Sequence, residues 1–81
     1  MWFVYILLCQ GGSLYTGIAK DPKKRFFEHV NGKGGAYTRS HEPIRIAYTE
    51  RKKTKSSALK REAEIKRWNR DTKIDSLNLK I

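Results

Sequence analysis

The sequence has little that would fix a fold covalently. It contains one cysteine, Cys9, and two prolines among 81 residues. A single cysteine excludes an internal disulfide and a cysteine-rich zinc site, so packing alone must stabilise the fold. The longest apolar run, Trp2 to Cys9, is too short to span a bilayer and lacks the basic residues that precede a signal-peptide core. We therefore predict a cytoplasmic chain in which residues 1–81 form one domain.

Acidic residues are also scarce. The chain has eight Asp and Glu and 18 Lys and Arg, which gives a net charge of +10. The first 19 residues carry no charge, whereas residues 51–70 hold nine basic residues and two glutamates. Such a positive field attracts polyanions, of which DNA and RNA are the commonest in cells. An anionic membrane surface is the alternative partner, but the chain has no lipidation signal and no aromatic-rich apolar helix face, so we expect no membrane partner.

The apolar pattern predicts an α+β fold. Residues 2–9 form a strand whose continuous apolarity is typical of a central strand covered on both faces. A turn at 10–13 and a second strand at 14–18 complete a hairpin. Asp21 and Pro22 are typical of an N-cap and a first helical residue, which predicts a helix that ends at Asn31-Gly32.

The second half continues the order strand, then helix. Residues 31–43 are predicted to form a long loop, because they combine three glycines with a proline, and residues 44–50 form the third strand. Ser56 or Ser57 is the expected cap of a helix over 58–69. Apolar residues at three- and four-residue spacing predict a short C-terminal helix that packs on the core through Ile74, Leu77 and Ile81.

Two helices carry residues that can do chemistry. Arg25 and His29 lie four residues apart on one helix face, where they could grip a phosphate and move a proton, or form an ordinary solvated face. Glu62 lies in the apolar stripe of the later helix. A carboxylate there must be paired, protonated or metal-bound, and the alternative to a metal is a partly buried ion pair with an arginine.

The hairpin carries two tyrosines, Tyr5 and Tyr15, which in most small proteins are core residues with a hydroxyl at the rim. A two- or four-residue turn would put them on opposite faces of the sheet, and a three-residue turn would put them on one face. Gly11 and Gly12 make the three-residue turn feasible, since either can adopt positive φ.

Taken together, these residues resemble the GIY-YIG nuclease superfamily, and the chain is similar almost end to end to its small single-domain bacterial members of the UPF0213 type. The two signature tripeptides correspond to residues 3–5 (Phe-Val-Tyr) and 15–17 (Tyr-Thr-Gly). Two positions depart from them: Phe3 replaces a glycine and Thr16 an isoleucine. Asn69 is the candidate counterpart of a late asparagine found in many members.

The resemblance implies a three-stranded antiparallel sheet flanked by helices and hydrolysis of phosphodiesters, in DNA rather than RNA, with one divalent ion. Glu62 would hold Mg²⁺ or Mn²⁺. Arg25 would stabilise charge on the phosphoryl oxygens, and Tyr5 or Tyr15 would orient or deprotonate water, with His29 as proton acceptor. To act as a base, a tyrosine needs a pKa lowered by nearby cations.

Further nucleic-acid contacts are expected around the glycine-rich loop, from Lys24, Lys33, Tyr37 and Arg39. Tyr37 could stack on an unpaired base or lie against the sheet. A separate recognition domain has no room in 81 residues, which favours recognition of backbone and shape, with specificity left to a possible protein partner. The alternatives to a nuclease are a nucleic-acid-binding module with little or no catalysis and a subunit that binds an acidic protein.

Overall fold

The structure is a computed structural model that describes residues 1–81. Its elements, in chain order, are β1 (Trp2–Cys9), β2 (Leu14–Ala19), α1 (Pro22–Val30), α2 (Ala36–Ser40), β3 (Pro43–Lys52), α3 (Lys55–Lys66) and α4 (Arg70–Leu77). The strands form one antiparallel sheet in the order β2-β1-β3. This confirms the α+β fold and the central position of the first strand. No helix has the length and apolarity needed to cross a membrane.

Helices cover both faces of β1, which explains its continuous apolarity. The even-numbered residues Val4 and Ile6 pack with Ala58, Ile65 and other residues of the C-terminal half. The odd-numbered residues face α1 and form a second cluster. Strand β1 contributes Tyr5, Leu7 and Cys9 to it, and the two neighbouring strands and α1 contribute Tyr15, Ala19, Ile46 and Phe26. The candidate catalytic tyrosines therefore lie in the second core, between the sheet and α1.

The hairpin turn decides which face the tyrosines occupy. The Cys9 amide donates to the Ser13 carbonyl at 2.9 Å, so three residues, 10–12, form the loop. Gly11 and Gly12 have φ values of 84° and 86°, which only glycine adopts at low cost. With Leu7 opposite Tyr15, Tyr5 and Tyr15 lie on the same face. The three-residue alternative is thus the one the chain adopts.

Helix ends differ from expectation in the second half. Asp21 caps α1 as predicted, but α3 begins at Lys55 because the Thr54 hydroxyl, rather than a serine, accepts from the Ser57 amide at 3.1 Å. The helix ends at Lys66, three residues before Asn69. The Asn69 side chain instead accepts from the Thr72 amide and caps α4. Its predicted place on the Glu62 stripe is therefore wrong.

Two further predictions need correction. Residues 31–43 are not all loop, since Ala36–Ser40 form the short helix α2, which the glycine-rich sequence around it concealed. At the C terminus, helix α4 ends with Asn78 in the left-handed conformation, and this turn sends Leu79 into the core. Ile81 is half exposed and does not pack as expected.

Candidate active site

A chain of three buried side chains lies at the centre of the site. The Tyr5 hydroxyl is 2.9 Å from His29 Nε2, and His29 Nδ1 is 2.8 Å from Thr38 Oγ1. Strand β1 supplies the first residue, α1 the second and α2 the third, and each is at most 3% exposed. Residues distant in sequence therefore meet in one hydrogen-bonded line that is almost wholly buried.

Donor counting assigns the protons along this line. The Thr38 hydroxyl donates to the Gly35 carbonyl at 3.5 Å, so it accepts from His29 Nδ1–H. His29 Nε2 is then free to accept from the Tyr5 hydroxyl. Burial, followed by the charge of Arg25, lowers the pKa of His29, which agrees with a neutral imidazole. The site thus holds a neutral histidine ready to take a proton.

The pKa of Tyr5 moves in the direction opposite to that required of a simple base. Burial, the neighbouring Tyr15 and the negative charge of Glu62 raise it to about 12, although Arg25 acts to lower it. In the free protein, Tyr5 is therefore a neutral phenol. Any role in proton transfer requires it to give its own proton to His29 as it receives another.

Two glycines permit this close packing. A Cβ on Gly17 would lie 2.6 Å from the Tyr5 hydroxyl, and a Cβ on Gly34 would lie 1.9 Å from His29 Nδ1. Neither glycine has a positive φ, so space rather than backbone conformation requires them. Gly17 closes the second signature tripeptide, whereas Gly34 belongs to the loop before α2.

An aromatic column extends from the site to the surface. The Tyr15 ring packs edge-on against His29, with ring centroids 5.1 Å apart, and stacks on Tyr37 at 5.6 Å. The other neighbour of Tyr37 is His41, whose ring stacks on it at 4.3 Å. Tyr37 thus lies against Tyr15 of the sheet, which is one of its two predicted arrangements, and it remains 38% exposed.

Arg25 lies at the rim of the site, on the same helix as His29. Its guanidinium pairs with Glu28 at 3.1 Å and donates to the Gly34 carbonyl at 3.3 Å. The hydrogen bond that Arg25 donates to Glu28 is the main cause of its raised pKa. Lys24 joins Arg25 and Glu28 in lining a shallow cavity of about 260 Å³. Lys20 also lines this cavity, so three cations meet there, and one of them, Arg25, acts directly on the Tyr5 phenol.

Glu62 lies on α3, and its negative charge is the smallest of the contributions that raise the pKa of Tyr5. Its carboxylate pairs with Lys66 at 3.3 Å, and its side chain is only 17% exposed. The ion pair expected as the alternative to a metal is thus present, with a lysine in place of an arginine. The other carboxylate of this helix, Glu64, pairs with Arg61 at the surface.

The donor set at Glu62 suits a hard divalent ion. The Lys66 ammonium already occupies the position of a cation beside a half-buried carboxylate. No cluster of three or more histidine, cysteine or carboxylate side chains exists in the chain, so a metal ion at Glu62 would need further ligands from water or substrate. Mg²⁺ and Mn²⁺ accept such sites, because they keep several waters and share phosphate oxygens with the substrate.

The remaining predicted contacts lie outside this centre. Lys33 and Arg39 are exposed on either side of the Gly34-Gly35 turn, next to Tyr37. The structure therefore brings Tyr5, Tyr15, Arg25 and His29 together, with the charge of Glu62 acting on Tyr5, and leaves Lys24, Lys33 and Arg39 exposed. Sequence reasoning missed Thr38 and the steric role of Gly34. The only available signal was the run of small residues 34–36, which comes shortly before the threonine.

The two departures from the signature leave the centre intact. Phe3 lines a separate groove beside the start of α1, together with Pro22 and Ile46. Thr16 is buried on the opposite face of the hairpin, and its hydroxyl accepts from Lys73 Nζ at 3.1 Å. A buried hydroxyl at this position is thus satisfied by a buried lysine, whose pKa is lowered chiefly by burial.

Comparisons with known proteins agree with the geometry. A family model described as the GIY-YIG catalytic domain matches residues 1–75. A UPF0213 protein of Staphylococcus saprophyticus is 50% identical over 72 residues, which cover 89% of this chain and 88% of the relative. A UPF0213 protein of Cupriavidus necator is 56% identical over 66 residues, which cover 82% of this chain and 72% of the relative. The solution structure of a UPF0213 protein from Bacillus halodurans is similar with a TM-score of 0.61 and 38% identity, over 96% of this chain and 84% of that one.

Proposed function

The chain belongs to the GIY-YIG nuclease superfamily, and on that premise we propose that it hydrolyses phosphodiester bonds in DNA with one divalent ion, Mg²⁺ or Mn²⁺. The observation that carries the proposal is the buried line of Tyr5, His29 and Thr38, which ends beside Arg25 and within electrostatic reach of Glu62. Buried groups whose pKa is shifted by burial and by a neighbouring charge, as that of His29 is by burial and Arg25, cluster at functional sites.

The proton relay is the first part of the mechanism. As water attacks phosphorus, its proton passes to the Tyr5 oxygen while the Tyr5 proton passes to His29 Nε2, which is 2.9 Å away. The phenol therefore never becomes a free phenolate, and its pKa of about 12 presents no barrier. Thr38 fixes the imidazole so that Nε2 faces the tyrosine. This geometry favours Tyr5 over Tyr15 as the residue that takes the proton.

Charge stabilisation is the second part. Arg25, at the rim, would exchange Glu28 for the phosphoryl oxygens, on which negative charge increases during attack. Glu62 would hold the divalent ion, which when bound supplies Lewis-acid stabilisation of the leaving oxygen. Tyr15 and Tyr37 would pack against the nucleotide beside the scissile phosphate, and Lys24, Lys33 and Arg39 would contact neighbouring phosphates without reading sequence.

A cleavage assay tests the proposal. Single-stranded, double-stranded and branched DNA are incubated with the protein and Mg²⁺ or Mn²⁺. We expect E62Q and R25A to lose about 100-fold or more in rate, as does removal of one charge-stabilising group in other enzymes. E64Q is the matched control, because this carboxylate lies on the same helix but pairs with Arg61 at the surface, and we expect it to keep full activity.

Two outcomes would contradict the assignment. Cleavage that persists unchanged in both E62Q and R25A would come from another site or a contaminant. Absence of cleavage, with DNA binding that weakens steeply as salt increases, would support the alternative of a nucleic-acid-binding module.

We place either activity, as part of the proposal, in the reducing cytoplasm, since Cys9 has no second cysteine to pair with.

A further inference from the structure

The carboxylate assigned to the divalent ion is already neutralised by its own helix. Lys66 lies one turn after Glu62 on α3, with its Nζ 3.3 Å from the Glu62 carboxylate. The lysine is 53% exposed at its side chain, whereas the glutamate is 17% exposed. The pair therefore has a half-buried anion and a cation that can leave towards solvent, since lysine has a long flexible side chain.

We propose that Lys66 is a positioning residue that holds Glu62 in the free protein and moves to a phosphate oxygen of the nucleic acid once a divalent ion binds at Glu62. The inference rests on the proposed function. An ammonium and a divalent ion at the same carboxylate repel each other, and the ion has the larger charge, so the lysine is the group that moves. A phosphate bound beside the ion offers the ammonium a new anionic partner.

A second lysine limits where Lys66 can go. Lys73 is buried, and its ammonium donates to Thr16 behind the site. The positive charge of Lys66 helps to lower the pKa of Lys73, so the two cations are close enough to repel each other. With a cation behind it and a divalent ion at Glu62, Lys66 moves outward to solvent, where the substrate phosphates would lie. The other acidic residue of α3, Glu64, does not compete for the Lys66 ammonium, because it is paired with Arg61.

Binding of Mn²⁺ to the free protein, followed by electron paramagnetic resonance of the unbound ion, tests the first half. We expect K66M to bind Mn²⁺ about two- to fivefold more tightly than the wild type, which is the range for loss of one partly exposed ion pair. K60M is the matched control, since it removes the same charge from the same helix without contacting Glu62. We expect its Mn²⁺ affinity to change less than twofold.

The second half is tested by the coupling between Mn²⁺ and DNA. Mn²⁺ affinity is measured with and without a saturating single-stranded oligonucleotide, in a Y5F background that suppresses hydrolysis. The ratio of the two affinities is the coupling factor. We expect K66M to lower it at least threefold, because the free protein already binds the ion better and the contact with phosphate is lost. K60M should keep the wild-type factor.

The outcomes separate this inference from the proposed function. If E62Q binds Mn²⁺ as the wild type does, Glu62 is not the metal ligand and both fail. If E62Q abolishes Mn²⁺ binding while K66M matches K60M in affinity and coupling, the metal ligand is correct and the role of Lys66 is refuted. Tighter Mn²⁺ binding together with a lower coupling factor, in K66M alone, supports it.

Discussion

Replacing Gly34 by alanine tests whether the buried hydrogen-bonded line carries the function. The new methyl group would lie 1.9 Å from His29 Nδ1, far inside the 3.0 Å that real Cβ atoms keep. The imidazole cannot retreat, because Tyr5 and Thr38 confine it and all three side chains are buried. Either the loop moves or the ring turns, and both break the contact between Nδ1 and Thr38.

The cost can be worked from these contacts. Overpacking costs about 1–3 kcal/mol and each of the two hydrogen bonds of His29 contributes about 1 kcal/mol. For a domain of this size we expect a fall in Tm of at least about 10 °C. Cleavage should fall about 100-fold or more, since the proton relay is displaced. Thermal unfolding followed by circular dichroism measures the first effect and the DNA cleavage assay the second.

Gly32→Ala is the matched control in the same loop. Its φ of 77° makes alanine cost about 1 kcal/mol through the backbone. The nearest atom to its new methyl group is Arg39 Cγ at 3.9 Å, so the substitution does not touch the histidine. We expect a modest loss of stability with cleavage retained. If G34A unfolds at the wild-type temperature and cleaves at the wild-type rate, the packing argument for His29 is wrong.

Three further predictions concern the same centre. G17A should displace the Tyr5 ring, because the new methyl group lies 2.6 Å from its hydroxyl, and should lower both Tm and the cleavage rate. T38V should lower the cleavage rate about tenfold with a loss of about 1–2 kcal/mol in the free energy of unfolding, measured by urea denaturation, because it leaves His29 Nδ1–H without an acceptor. The free energy of unfolding should decrease as the pH falls below about 6.5, since the pKa of His29 is lowered in the fold and the unfolded chain binds the proton first. A H29Q variant that shows the same acid-induced loss as the wild type would contradict this assignment.

The sequence predicted the parts of the fold that depend on local chemistry. Asp21 followed by Pro22 marks the start of α1 because a carboxylate cap and a fixed φ act within one turn. The continuous apolar run of β1 predicted its central place because no solvent-facing strand tolerates it. The end of α3 was harder, since Asn69 can cap the next helix as readily as it can continue the previous one.

The parts of the site that depend on distant contacts were out of reach. Thr38 meets His29 only because α2 folds back over α1, and no local pattern predicts the direction of a five-residue helix that follows two glycines. The face of Tyr15 depended on the length of one turn, which Gly11 and Gly12 permit without dictating. Gly34 gave no motif, since its role is the absence of a side chain beside another residue.

Both charged groups of the site are held by ion pairs within their own helices. Arg25 pairs with Glu28, three residues later, and Glu62 pairs with Lys66, four residues later. In the proposed function, a phosphate would replace the anion Glu28 at Arg25, and a divalent ion would replace the cation Lys66 at Glu62. Each incoming group would therefore displace a side chain of its own charge sign. Ion pairs between neighbouring turns of one helix contribute about 0.3–0.5 kcal/mol when solvent reaches them, and each pair here has at least one partner that is more than a third exposed. In that proposal the net charge of +10 would attract the nucleic acid to the surface, and stable binding of a phosphate would then require the phosphate and the ion to replace both internal partners together.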